Sequence, residues 1–267
     1  MSILRTLSLV AALILPQALQ AQAPHLSEII DARMRPGWLT DQGTYMTALH
    51  LRLSRGWMTY WRHPGESGIA PRFDWSGSRN LAGARIHWPE PRLFLSAGYR
   101  SIGYKNELVL PIELTPEQAG RPIKLDGTVL LGVCDDICIP VDLSLRLNLS
   151  GPGTRDQRIA DALASHPREA RAAGLRSVAC DVSPYRRGMR LSAALDLPAQ
   201  GTQEFVLVEL GGAAMPGRAL PAERSGDAIT GHTLLQTRTG GINRSAVQVS
   251  IITEHGMLVH QGCTLGQ

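Results

Sequence analysis

The chain has 267 residues, 27 Lys and Arg against 23 Asp and Glu, a net charge of +4, and 43% hydrophobic residues at a mean hydropathy of −0.06. These values fit one large or two modest globular domains and exclude a disordered chain or a polytopic membrane protein. Only Lys105 and Lys124 are lysines, and the arginines are scattered with no run of five, which excludes a nucleic-acid footprint.

Arg5, the apolar run Leu7–Leu15 and Pro16, followed by the small residues Ala21 and Ala23, have the layout of a secretory signal peptide. Nine apolar residues at 1.5 Å each cannot cross about 30 Å of hydrocarbon, so a membrane anchor is the weaker reading. The expected cut follows Ala21, or failing that Ala23, and no nearby cysteine offers a lipid attachment site. No later stretch reaches 18 apolar residues. The destination is an oxidising compartment, the bacterial periplasm, where disulfides persist and four cysteines carry weight.

All five Trp lie between Trp38 and Trp88, and only Tyr185 and Phe205 are aromatic beyond Tyr104, which suggests two different cores. The first is expected over residues 22–152. Thr44–Leu53 alternates Tyr45, Thr47, Leu49, Leu51 and Leu53 with Met46, Ala48, His50 and Arg52, the pattern of a strand buried on one face. Short strands are also expected near Trp57–Trp61, Arg72–Trp75, Ala84–Trp88, Leu108–Leu114, Ile123–Val133 and Val141–Leu149. Pro and Gly punctuate them without intervening helices, as in a β-sandwich.

Ser150–Thr154 (SGPGT) is a turn-rich boundary, and residues 153–267 form the expected second, β-rich unit with one or two short helices. Asp156 caps a helix with Ile159, Ala160, Leu163 and Ala164 on one face, ending before Pro167. Arg168–Ala173 reads as a second short helix stopped by Gly174. Strands resume at Met189–Leu195, Glu204–Leu210, Ala246–Ile252 and Gly256–Cys263. Gly211–Gly241, rich in Gly, Pro and Ala, reads as loop with at most short strands.

The chemistry is concentrated in Cys134-Asp135-Asp136-Ile137-Cys138, between two expected strands. A three-residue hairpin loop sets its flanking residues about 5–6 Å apart, within disulfide range. So short a closed loop gains little from chain entropy, and local bridges of this kind are among the more reducible. Three readings stand: a redox pair, a structural staple on a hairpin tip, and two thiolates of a metal site, for which no His lies nearby in sequence. Asp135 and Asp136 disfavour thiolate, unlike the electropositive setting of a thioredoxin-type pair, and they are also ordinary turn residues. Cys180 and Cys263 either form a long-range structural bridge, worth roughly 4 kcal/mol by loop closure, or remain as two thiols.

Other candidates carry less. Tyr60 and Trp61 read as core aromatics or as a ligand groove. Arg62 and Glu66 read as an ion pair ordering their loop. His255 and His260 read as surface residues of a hairpin. Ser67 lacks a nucleophile-elbow frame, and neither a phosphate loop nor a cofactor motif is present, so no cofactor and no metal is expected.

Tyr60-Trp61-Arg62-His63-Pro64-Gly65-Glu66-Ser67-Gly68, then Pro71 and Trp75, Trp88-Pro89-Glu90-Pro91, Gly103–Pro111 and Cys134–Pro140, taken in order, resemble the periplasmic N-terminal domain of DsbD/ScsB-type thiol–disulfide interchange proteins. The resemblance covers about residues 35–150 well and the remainder only as the less distinctive second half of ScsB-like regions. It implies an immunoglobulin-like β-sandwich with the redox pair near one end. It further implies that Cys138 forms the mixed disulfide with partners and Cys134 resolves it. A cap loop is implied over about Leu93–Tyr99, with Phe94 or Tyr99 as the shielding aromatic. Implied partners are a membrane-embedded electron donor, of the DsbD/ScsB or a short carrier type, and periplasmic thioredoxin-like acceptors. Full-length members continue into transmembrane helices and a thioredoxin-like domain, which the 267 residues do not contain. The alternative is a non-redox immunoglobulin-like binding or chaperone module whose disulfides are all structural.

Overall fold

A computed structural model describes residues 25–96, 98–186, 188–210, 218–235 and 242–266; the expected signal segment, residues 1–21, lies outside them. The fold is mainly β, and its strands form two pairs of facing sheets.

In the first unit a single helical turn, α1 (Leu26–Ile29), leads into β1 (Ile30–Leu39), β2 (Tyr45–Leu53), β3 (Met58–Gly65), β4 (Arg72–Asp74), β5 (Leu81–Ile86), β6 (Arg92–Ser96), β7 (Tyr99–Lys105), β8 (Glu107–Pro116), β9 (Ile123–Cys134) and β10 (Cys138–Leu149). One antiparallel sheet runs β1-β2-β8-β5. The other runs β10-β9-β3-β7-β6, with β4 beside β9. Leu49, Leu51, Ile112 and Leu114 share a core with Ile102, Leu125, Val129, Val133 and Leu145, the interior of an immunoglobulin-like sandwich. Strand β1 escapes the sequence pattern because Pro36-Gly37 interrupts it; Gly37 (φ 64°) sits where the pairing with β2 shifts register.

The one-face expectation for β2 does not hold. Both faces are buried, because α2 (Gln157–Ala164) lies on the outer one. There Ile159 packs with Met46 and Ala48, and Trp38, Val109 and Leu163 close around them. Asp156 caps the helix, accepting the Arg158 N–H at 2.9 Å, and also takes the Arg35 guanidinium at 2.6 Å. Arg158 reaches Glu107, which also meets His50. The helix follows the turn-rich boundary in sequence yet packs on the sheet before it.

The second unit contains β11 (Arg168–Glu169), β12 (Ser177–Tyr185), β13 (Gly188–Asp196), β14 (Glu204–Leu210), β15 (Arg218–Ser225), β16 (Ala228–Leu235), β17 (Val247–Thr253), β18 (Gly256–Gln261) and β19 (Thr264–Leu265). The sheets run β11-β18-β17-β14 and β15-β16-β13-β12-β19. The expected helix over Arg168–Ala173 is instead β11 followed by a 3-10 turn, Ala170–Ala173, closed by Gly174 in the left-handed conformation. The expected Gly211–Gly241 loop contains the β15–β16 hairpin, joined at Gly226-Asp227, a dipeptide suited to a two-residue turn. Its inward positions on β16 are Ile229, Gly231 and Thr233, which hide the apolar period. A Cβ at Gly231 would stand 2.2 Å from Val206, so glycine lets the facing sheet approach.

Strand β14 alternates between two cores. Val206 and Val208 face the second unit's interior, while Phe205 and Leu207 join the core of the first. Ile251 and Ile252 divide in the same way, as do Leu258 and Met257. This sheet is therefore a shared wall, which explains its nearly unbroken apolar runs. Four large side chains cross to the first unit, at about 1.5–3 kcal/mol each, so the units pack as one body.

Candidate redox site

The β9–β10 hairpin aligns Cys134 with Cys138, β3 aligns Met58 with Cys134, and β7 aligns Lys105 with Met58. Directly paired antiparallel residues share a face, so these four residues form one row across the outer face of the sheet. Cys134 and Cys138 are disulfide-bonded, with Cα atoms 4.1 Å apart, closer than the hairpin expectation. Their exposures differ: Cys134 is 2% exposed, whereas Cys138 is exposed at the start of edge strand β10. The Asp135 N–H donates to the Ile137 carbonyl, which closes the turn and leaves Ile137 as an exposed apolar residue between the acids and Cys138.

The environment of the pair contains residues that the sequence reading assigned elsewhere. Tyr60 is a core aromatic by burial, yet its hydroxyl lies 3.4 Å from Cys138 Sγ. A disulfide sulfur carries no proton, so tyrosine is the donor. The ring is held by absent side chains: a Cβ at Gly132 would come within 3.2 Å of it and one at Gly68 within 2.2 Å. Gly68 also adopts φ 106°, which glycine tolerates. Burial raises the Tyr60 pKa, against a smaller opposing effect of a Ser101 hydrogen bond, so the phenol stays protonated at neutral pH. Met58 and Phe94 complete the cluster around Cys134 and Tyr60, and the Lys105 ammonium stands 4.9 Å over the Phe94 ring. Lys105 is two strands from Cys134, about 10 Å between backbones, and its side chain turns toward Phe94. A Cβ at Gly56 would stand 2.7 Å from the Asp135 carboxylate, so the β2–β3 turn abuts the cysteine hairpin on the acidic side.

Of the two aromatics expected in a cap loop, Phe94 on β6 lies against the cysteine cluster. Tyr99, 57% exposed, instead lines a cleft of about 440 Å³ with His63, Glu66, Phe205 and Leu220. Cys180 and Cys263 are bonded with Cα atoms 5.7 Å apart; Cys180 is fully buried in the second core, a different cluster from that of Cys134. Asp136 is exposed beside Asp135. Among the described residues no group of three or more His, Cys, Asp or Glu is placed to hold a metal ion.

The expected Arg62–Glu66 pair is replaced by two others. Arg62 makes a two-pronged pair with Glu209 of β14, and Glu66 pairs with Arg100. Once the second unit supplies Glu209, Arg62 turns to it, which no local spacing reveals. Hydrogen bonds from Arg100 hold the Glu66 carboxyl below its ordinary range. His63, edge-tilted on Phe205 at 5.8 Å, has its pKa lowered chiefly by burial.

Residues 30–149 match the family model described as thiol:disulfide interchange protein DsbD, N-terminal. Among solved structures, the chain is similar to the N-terminal periplasmic domain of ScsB from Proteus mirabilis. The TM-score is 0.62 at 24% identity, and the match covers 90% of this chain and 95% of that one, so the likeness in fold extends through the second unit. No curated protein matches the chain. No helix among the described residues is long and apolar enough to cross a membrane.

Proposed function

From the match of residues 30–149 to the DsbD N-terminal family model, we propose that the chain is a periplasmic thiol–disulfide exchange protein working through Cys134 and Cys138. Thiol–disulfide interchange is the activity of the family. The observation that carries the finer reading is the asymmetry of the pair: an exposed Cys138 whose sulfur takes a phenolic donor, and a buried Cys134 behind it.

In the dithiol form, Cys138 as thiolate attacks the disulfide of an acceptor and forms an intermolecular disulfide while one acceptor sulfur leaves as thiolate. Cys134 then attacks Cys138 Sγ and displaces the second acceptor sulfur. The acceptor gains two electrons and two protons, and the Cys134–Cys138 disulfide is restored. A membrane-embedded donor of the DsbD/ScsB or short carrier type returns the electrons, and thioredoxin-like periplasmic proteins accept them. The Tyr60 hydroxyl stabilises a Cys138 thiolate by a charge-assisted hydrogen bond, against the raising effect of Asp135 and Asp136. Phe94 shields Cys134 between turnovers. The Cys180–Cys263 bridge is structural, the first unit spans residues 22–152 and the second 153–267, and residues 1–21 direct export.

The test combines a redox titration with trapping. A Cys134–Cys138 reduction potential above about −300 mV supports exchange, and one below it marks a structural bridge. The Cys134→Ala variant should form a reducible adduct through Cys138 with a thioredoxin-like acceptor, and Cys138→Ala should not. A structural potential with no adduct in either variant rejects the proposal.

A further inference from the structure

Phe94 reaches the cysteine cluster from β6, the terminal strand of its sheet, and this strand is seated on the second unit. Leu93, its neighbour, points the opposite way and is 3% exposed, in one core with Phe205, Ile252 and Met257. Strands β17 and β18 pack directly against β6. Two polar ties bracket the same stretch. Ahead of β6, the Glu90 carboxylate accepts the Met257 N–H at 2.8 Å, and the Glu90 N–H donates to the Ser165 carbonyl at 3.0 Å. Beyond it, on β7, Arg100 donates through Nη1 to the Glu204 carbonyl at 3.2 Å and lies 5.6 Å over the Phe205 ring. A Cβ at Gly256 would stand 2.6 Å from the Glu90 carboxylate, so the β17–β18 turn is shaped to that anchor.

Phe94 leaves Cys134 together with its backbone only if β6 rotates or translates. That motion draws Leu93 from the shared core and strains both ties. We infer that the second unit is a clamp on the strand that carries Phe94, and that the strength of this clamp sets how readily the Cys134–Cys138 disulfide is reached. The inference rests on the reading of Phe94 as the shield of that pair. It gives the second unit a regulatory part in the exchange: a partner that loosens the β14–β17–β18 wall speeds access without touching a sulfur.

The test uses the full chain and dithiothreitol, whose two thiols become a cyclic disulfide as Cys134 and Cys138 take up two electrons and two protons. The second-order rate is read by thiol alkylation and mass mapping, which separates this pair from Cys180–Cys263. Glu90→Ala removes the carboxylate bond to Met257 and leaves the backbone bond to Ser165; Arg100→Met removes the guanidinium from Glu204 and Phe205, and from Glu66 as well. Each is expected to speed reduction about tenfold, the effect of one hydrogen bond to a charged group. Glu90→Gln retains an acceptor oxygen and should remain within about threefold of the unaltered chain.

Phe94→Ala is measured alongside. If Phe94→Ala speeds reduction and neither tie variant does, the clamp is overturned and the shield stands. If Phe94→Ala leaves the rate unchanged, the shield reading fails and the clamp fails with it. Should Arg100→Met not fold, the Glu90 pair of variants decides the matter, because Glu90 is a partly exposed carboxylate outside both cores.

Discussion

The two disulfides should contribute very unequally to stability. Cys134 and Cys138 are separated by 4 positions, and Cys180 and Cys263 by 83. The chain-entropy model gives about 2 kcal/mol for the short loop and about 4.5 kcal/mol for the long one. The first bridge can be opened chemically with every sulfur left in place, so comparing dithiol and disulfide forms adds no cavity. The second is removed as Cys180→Ala/Cys263→Ala, where the fully buried Cys180 sulfur adds a small packing loss to the entropic one. Urea unfolding at constant slope should therefore show about 2 kcal/mol or less lost on reducing Cys134–Cys138, and about 4–5 kcal/mol lost in the double variant. Equal losses, or a larger loss from the short bridge, would refute the division into a reactive pair and a structural one.

Two further outcomes follow from particular contacts. Burial lowers the His63 pKa below its ordinary 6.5, so below pH 6.5 the unfolded chain takes up a proton that the folded chain resists. Stability from this group is complete above that pH and is lost as pH falls toward the lowered folded value. His63→Gln should flatten the urea midpoint between about pH 5 and 7.5 relative to the unaltered chain, and an unchanged slope counts against the buried-histidine account. Gly68→Ala places a Cβ 2.2 Å from the Tyr60 ring at φ 106°, and should cost about 1–3 kcal/mol in thermal unfolding while displacing the hydroxyl from Cys138. Unaltered stability would mean that the ring is not held as described.

The strands with clean alternation or long apolar runs were legible in the sequence: β2, β8, β9, β14 and β17 all fall where the pattern puts them. The capped helix at Asp156 was also legible, because capping is a local signal. What failed was what depends on a second surface. The outer face of β2 looks polar-tolerant until α2 covers Met46 and Ala48, and Arg62 looks paired with Glu66 until Glu209 arrives from another sheet. The β15–β16 hairpin was hidden by a glycine whose purpose is the nearness of Val206. At the site, the Cys-x3-Cys spacing was visible, whereas Tyr60 was not distinguishable from any buried tyrosine. Its one local clue, Gly132 two residues before Cys134, acquires meaning only through the register of β3, β9 and β10.

The shared wall between the units also bears on the order in which the molecule is completed. Phe205, Leu207, Ile252 and Met257 come late in the chain, and Ile159 and Leu163 follow the first ten strands. Synthesis runs from the N-terminus, so the first sandwich is made while its two flanking apolar patches are still bare. One patch closes when α2 emerges, and the seat of β6 closes only after β18. A half-made chain therefore displays sticky surface on the sandwich that carries the Cys134–Cys138 hairpin. Truncations ending between Ala164 and Gly256 should aggregate more readily than the whole protein for the same reason.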